Sequence, residues 1–389
     1  EKNFSKESFL IDNLEKYIDD AVKRNLISDV EVGCYLSGGI DTGIISCIAS
    51  KYKNPLLTFT IGFDLSTVSG LEISYDERNK AERMSYLFGT EHYEMVLKAG
   101  DMEKCFDKLV YHLEEPRVGQ SYPNFYSAKL ASKFVKVVLS GTGGDELFAG
   151  YPWRYQYSSN YHEFIEKYYS YWNRLLKEDE LKEILTPIKE ETKNFSTKEI
   201  FQSIINKQYE KFSKKELDKD ICISLCLYLE AKTFLHGLLI VEDKLSMAHS
   251  LETRVPFLDN ELVDFSLKIE NSWKIIEKLD SLTENEIENK ITFTNGKYIL
   301  RLLSKKLIND EIWNLPKQGF SAPDASWFKG KSIEFVKKNI MNKNAPIYEF
   351  LNRKKIYELV MEHLEGKKNR RLLIWSLLYF NKWLETFML

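Results

Sequence analysis

The chain carries no excess of charge of either sign. Fifty-five Lys and Arg face 58 Asp and Glu, for a net charge of -3. Nothing in that balance calls for a nucleic acid or an anionic membrane as partner. The one dense basic run, Lys367-Lys368-Asn369-Arg370-Arg371, reads as a solvated face or a helix start. Long apolar runs are missing too. None reaches the roughly 18–20 residues of a spanning helix, and no signal peptide is visible. The five cysteines (Cys34, Cys47, Cys105, Cys222, Cys226) lack metal-type pairing. Cys222 and Cys226 stand four apart in an apolar helical stretch with no histidine cluster beside them. They read as reduced, mostly buried thiols of a cytoplasmic protein. Repeats and low-complexity linkers are absent. What remains is a soluble globular chain of 389 residues, 43% hydrophobic and 29% charged. That length has room for two cores. The chain opens on Glu1, not methionine, which points to a processed, truncated or separately cut product.

The first 150 residues alternate strand and helix signals. An amphipathic helix over 5–27 leads into the short apolar strand Val32-Gly33-Cys34-Tyr35-Leu36. Strands are expected at 56–63, 92–97 and 135–139, with helices at 76–88, 102–113 and 125–134 between them. Such alternation predicts βαβ units and a parallel sheet covered on both faces. Ligands of these sheets sit beyond the carboxyl ends of the strands. Beyond Trp153 the strand signal fades, and helical patterns run to the C-terminus. The expected division is an α/β core over 1–150 and a mostly helical region over 151–389.

The first strand runs into Ser37-Gly38-Gly39-Ile40-Asp41-Thr42-Gly43 and then an apolar helix. A buried strand, a turn of small residues and a helix N-terminus make a phosphate cradle, with backbone N–H groups and the helix dipole aimed at the anion. No Gly-Lys-Ser/Thr closes it, so it is not a Walker loop, nor is it the dinucleotide fingerprint. Ser-Gly-Gly-x-Asp followed by a hydroxyl resembles the PP-loop of the ATP pyrophosphatases, which have a Rossmann-like, adenine-nucleotide α-hydrolase-like core. Those enzymes cleave ATP between the α- and β-phosphates.

Further segments extend the resemblance. These are Leu139-Ser140-Gly141-Thr142-Gly143-Gly144-Asp145-Glu146, the run from Asp243 to Asp259, Gly296-Lys297-Tyr298-Ile299-Leu300-Arg301, and Pro316-Lys317-Gln318-Gly319-Phe320. With Asp76-Glu77 and Glu114-Glu115-Pro116 between them, they span about residues 10 to 385. Together they resemble the synthetase domain of the asparagine synthetase family, which includes β-lactam-forming and other amide-forming relatives. Asp41 and Asp145 stand at the ends of strands that should be neighbours. Two hard oxygen ligands facing a triphosphate are what Mg²⁺ needs.

The resemblance implies ATP and Mg²⁺ as cofactors. It places adenine and ribose near Leu36, Ile61, Ser140 and Gly141, and the pyrophosphate on Ser37, Gly38, Gly39 and Thr42. It also implies Lys297 at the leaving pyrophosphate and Lys317 beside the acyl-transfer step, with Asp145, Glu146 and Thr142 completing the reactive region. The implied chemistry is adenylation of a carboxylate, then transfer of ammonia or an amine. Arg254 reads as a buried anchor near Asp259, His92 and His249 as packing groups, and the aromatics from Trp153 to Trp172 as core.

Two departures matter. Thr142 stands where asparagine synthetases carry a glutamate, so the substrate pocket or proton route must differ. The glutaminase domain that precedes this domain in the family has no counterpart in the residues before the PP-loop. Nitrogen would come from free ammonia, a glutaminase domain or subunit, or an amine on the substrate. The acid is aspartate or another carboxylate, such as a sugar uronate or a natural-product precursor, and a β-lactam or macrolactam cyclase is also open. A homodimer is possible. A retired binding subunit or a tRNA-modifying PP-loop enzyme would be the rivals from other classes. Retention of Asp41, Asp145, Lys297 and Lys317 opposes the first, and the neutral charge balance opposes the second.

Overall fold

Strand β1 (Val32–Tyr35) is followed by helix α2 (Ile40–Tyr52), and the long helix α1 (Phe4–Leu26) precedes both. The structure is a computed structural model that describes residues 4–68, 70–117, 121–173, 175–212, 216–276, 296–308, 322–330 and 332–388. The core continues through β2 (Leu57–Phe63), α3 (Arg78–Phe88), β3 (Glu91–Leu97), α4 (Asp101–Leu113), α5 (Tyr122–Ala131), β4 (Val137–Leu139) and α6 (Gly144–Leu147). Strands and helices fall where the periodicity predicts, shifted by a few residues at the ends. The start of α5 shows why: Pro123 fits the first turn, where its missing N–H is harmless.

A fifth strand, β5 (Glu252–Arg254), lies in a stretch with no strand signal. It is three residues long, charged and only half-buried, so neither alternation nor an apolar run betrays it. Its pairing with β4 is what makes it a strand. The sheet is all parallel, in the order β3-β2-β1-β4-β5.

Alternate residues of β4 feed opposite faces. Val138 joins Phe59, Ile61 and Phe63 of β2 under α4, α5 and the C-terminal helix Arg371–Phe387. Val137 and Leu139 join Val32 and Cys34 under α1, α2 and the helix Tyr298–Leu307. Both faces are thus covered, which is why β2 is buried from Thr58 to Phe63 although Thr58 and Thr60 alternate with its apolar side chains. At the edge, β3 is partly exposed and carries the exposed acids Glu91 and Glu94, charges that discourage further pairing. All five cysteines are buried and free.

A third, helical cluster joins Phe164, Ile165 and Tyr168 of helix α7 (Tyr161–Trp172) to Ile221, Cys222, Leu225 and Leu229. The last four belong to a continuous helical stretch, Lys219–Met247, which holds one π-helical turn at Glu230–Leu235. By length and composition this stretch alone among the described residues passes for a membrane span, although Glu230, Lys232 and Glu242 interrupt its apolar residues. Part of its apolar surface is used in packing, the four residues above in the helical cluster and Val241 and Leu245 against the sheet, while Leu238, Leu239 and Ile240 are half-buried.

Candidate active site

Strand order runs outward in opposite directions from the β1–β4 pair, with Cys34 beside Leu139. The loops leaving these two strands therefore flank the crevice where such sheets bind ligands. After β1, the chain turns through Leu36, whose N–H donates to the Phe59 carbonyl at 2.9 Å. Ser37 N–H donates to Thr42 Oγ1 at 3.0 Å, the two hydroxyls lie 3.0 Å apart, and Gly39 N–H donates to Ser37 Oγ at 3.1 Å. These bonds hold the loop as a closed turn at the start of α2. Gly38 lies against the side chain of Lys80, a cation that the sequence reading did not single out. Ile61 is buried on β2, beyond Phe59.

After β4, Ser140 N–H donates to the Arg254 carbonyl at 2.8 Å. Ser140 and Thr142 hydroxyls are 3.1 Å apart. Gly141 faces Asp41 and Thr42, so the two loops touch. Glycine is required at two places. A Cβ on Gly144 would stand 2.6 Å from Asp41 Oδ1, and a Cβ on Gly150 would stand 1.8 Å from Asp145 Oδ1. Only bare backbone leaves room for the two carboxylates.

Lys297 completes the centre. It adopts a left-handed φ of 58° at the head of the helix Tyr298–Leu307, and its N–H donates to the Phe148 carbonyl at 3.1 Å. The side chain is 3% exposed. Its ammonium contacts Asp41 Oδ2 and lies 2.5 Å from Asp145 Oδ1. Two carboxylates from adjacent strand ends thus converge on one cation, and the ammonium marks where positive charge belongs. Arg301, one turn on, donates Nε–H to the Gly296 carbonyl at 2.9 Å and feels the charges of both aspartates. Among the described residues no group of three or more His, Cys, Asp or Glu gathers as a metal site. A metal here would have two protein ligands.

Glu146 points into the neighbouring interior, where Tyr151 O–H donates to Oε1 at 3.1 Å. Burial, then the adjacent Asp145 charge, pushes its carboxyl up to about 7. A second buried ion pair lies beyond it. The Arg154 guanidinium rests 3.7 Å over the Tyr151 ring and 4.4 Å from that of Phe234, and is 3.7 Å from Glu230 Oε1. Glu230 has no exposed surface and opens the π-helical turn. Burial pushes it up to about 8 against the pull of Arg154. Neither residue was singled out from sequence, although an acid inside the apolar stretch 221–239 was the available signal. π-Helical turns often mark functional sites.

Lys317 and its Pro-Lys-Gln-Gly-Phe segment lie outside the described residues. Arg254 is an anchor, but with other partners: it bonds Glu252 and the carbonyls of Asn25 and Ile27. Asp259 pairs instead with Arg24. His92 bonds Thr58 and burial lowers it to about 4, while His249 packs on Phe125. Both are packing groups.

The sequence as a whole is similar to known proteins. The family model described as asparagine synthase matches residues 13–385. "Asparagine synthetase [glutamine-hydrolyzing] 1" of Bacillus subtilis is 27% identical over 404 residues, covering 97% of this chain and 60% of that protein. "Asparagine synthetase [glutamine-hydrolyzing] 3" of the same organism is 28% identical over 372 residues, covering 90% of this chain and 54% of that protein. The chain therefore spans little more than half the length of these curated relatives. Among solved structures, the NH3-dependent NAD synthetase from Campylobacter jejuni, in complex with the nitrate ion, is similar at 14% identity and a TM-score of 0.27. It covers 59% of this chain and 96% of that one. With a match that runs almost from end to end and takes in the loops gathered around Lys297, the chain belongs to the asparagine synthase family.

Proposed function

We propose that this chain is an ATP-dependent, C–N bond-forming ligase. It activates an organic carboxylate as an acyl-adenylate with release of pyrophosphate, then passes the acyl group to ammonia or an amine. What supports this reading most is the convergence of Asp41 and Asp145 on one buried cation at the tips of adjacent strands.

The PP-loop, Ser37 to Thr42, binds the β- and γ-phosphates through the N–H groups at the start of α2. Leu36, Ile61, Ser140 and Gly141 form the nucleoside side of the crevice. Asp41 and Asp145 are the residues that would hold Mg²⁺, because two carboxylates leave the rest of an octahedron to water and phosphate oxygens. When bound, that ion supplies neutralisation of charge on the departing pyrophosphate. Lys297 contributes positive charge there, where charge develops as the bond to phosphorus breaks, and the family resemblance assigns a like role to Lys317. Glu146, next to Asp145 in the chain and raised by burial, is the second acid of the reactive region.

Aspartate is the leading acid, on the strength of the relatives' names, and a glutaminase segment or partner is the leading nitrogen source. Thr142 favours a different acid or a different proton route. Acid-dependent exchange between ATP and pyrophosphate, compared in the wild type and Asp41→Ala, is the test. Exchange in the wild type and its loss in the variant are expected. Equal exchange in both would overturn the reading.

A further inference from the structure

Thr142 brings a hydroxyl to a place where the chemistry above wants a carboxylate, and the fold delivers one from far along the chain. Glu242, on the helix His236–Met247, faces the hydroxyls of Ser140 and Thr142. Its Oε2 is closed off from solvent and has no hydrogen-bond partner among the described residues. The hydroxyls facing it are themselves tied together, since Thr142 N–H also donates to Ser140 Oγ at 3.3 Å. Tyr35 of β1 feels the Glu242 charge. A buried carboxylate oxygen with no donor is costly to keep. Its place beside the nucleotide side of the crevice gives that cost a use.

We propose that Glu242 accepts the proton of the attacking amine in the amide-forming step, with the Ser140 and Thr142 hydroxyls holding its carboxylate. This rests on the adenylation reading above. The C–N bond forms as the C–O bond to AMP breaks. AMP leaves with the electron pair, and one N–H proton passes to Glu242 and then to water. Burial raises the carboxyl while the two hydroxyls oppose the rise. A base shifted toward neutrality is suited to that transfer.

The test uses the full chain and separates the two half-reactions. L-Aspartate, L-glutamate and D-glucuronate are screened for acid-dependent ATP–pyrophosphate exchange in the wild type. The best of them is then assayed for amide formation with ammonium chloride. Glu242→Gln is expected to lose amide formation by about 100-fold, well beyond any loss of exchange, and Glu242→Asp to restore part of it. Equal losses in both half-reactions, or amide formation at the wild-type rate, overturn the proposal. If Glu242→Gln does not fold, Thr142→Val carries the test. A lowered ratio of amide formation to exchange supports the hold on the base, and an unchanged ratio overturns it. Absence of acid-dependent exchange in the wild type overturns the adenylation reading, and the role of Glu242 with it.

Discussion

The two buried ionic clusters, Asp41–Lys297–Asp145 and Arg154–Glu230, are assembled in opposite ways. In the first, two carboxylates meet one ammonium in direct contact, and glycine backbone makes the space. In the second, acid and guanidinium stay 3.7 Å apart, and aromatic rings take up the faces of the cation. The acid of the second cluster is driven up to about 8. The donors differ in kind: an ammonium in direct contact in the first, and in the second a guanidinium held off at 3.7 Å with the Tyr155 hydroxyl donating to Glu230 at 3.4 Å. The first cluster places one ammonium between two carboxylates. The second is built to sit near the boundary of ionisation.

The sharpest way to break this contrast is to remove the shared ammonium. Lys297→Met leaves two carboxylates facing each other in a dry site, an expected loss of about 3–5 kcal/mol in urea denaturation. Added Mn²⁺ is expected to return part of that loss, because a cation then occupies the same place. An unchanged unfolding midpoint would mean that the contact contributes nothing. A smaller effect is expected from Gly150→Ala, whose Cβ must push Asp145 off Lys297. Overpacking of this kind costs about 1–3 kcal/mol, and calorimetry should show weakened Mg-ATP binding along with it.

The second cluster is probed through pH. A carboxyl raised from 4.5 to about 8 in the fold keeps a proton that the unfolded chain has lost. Its contribution is therefore complete below about pH 4.5 and is lost as pH rises through about 8. Glu230→Gln removes that dependence, so the variant should gain on the wild type between pH 5 and pH 8. Denaturation at both pH values measures it, and parallel curves would contradict the assignment. At the bottom of the scale, Lys182 and Glu178 pair with side chains 76% and 80% exposed. Lys182→Ala should leave the unfolding midpoint where it was, as expected for a solvated pair.

Much of the α/β core was legible because its signals are local. The strand at 32–36, the small-residue turn and the apolar helix follow one another within about twenty residues, and each pattern carries its own geometry. The neighbouring positions of Asp41 and Asp145 followed from topology, since parallel β1 and β4 place their ends together. β5 was missed because three residues, two of them charged, become a strand only when β4 offers them its edge. Glu230 and Glu242 were missed for a related reason. An acid in an apolar helix announces that something faces it, but not what.

The sequence by itself determined the parallel α/β core, the order of its loops and the family to which they belong. Tertiary structure alone decided that Lys297 lies between the two aspartates and that Glu242 faces Thr142. Propensity and spacing act over a few residues, whereas the partner of a buried charge is set by which distant elements pack against it.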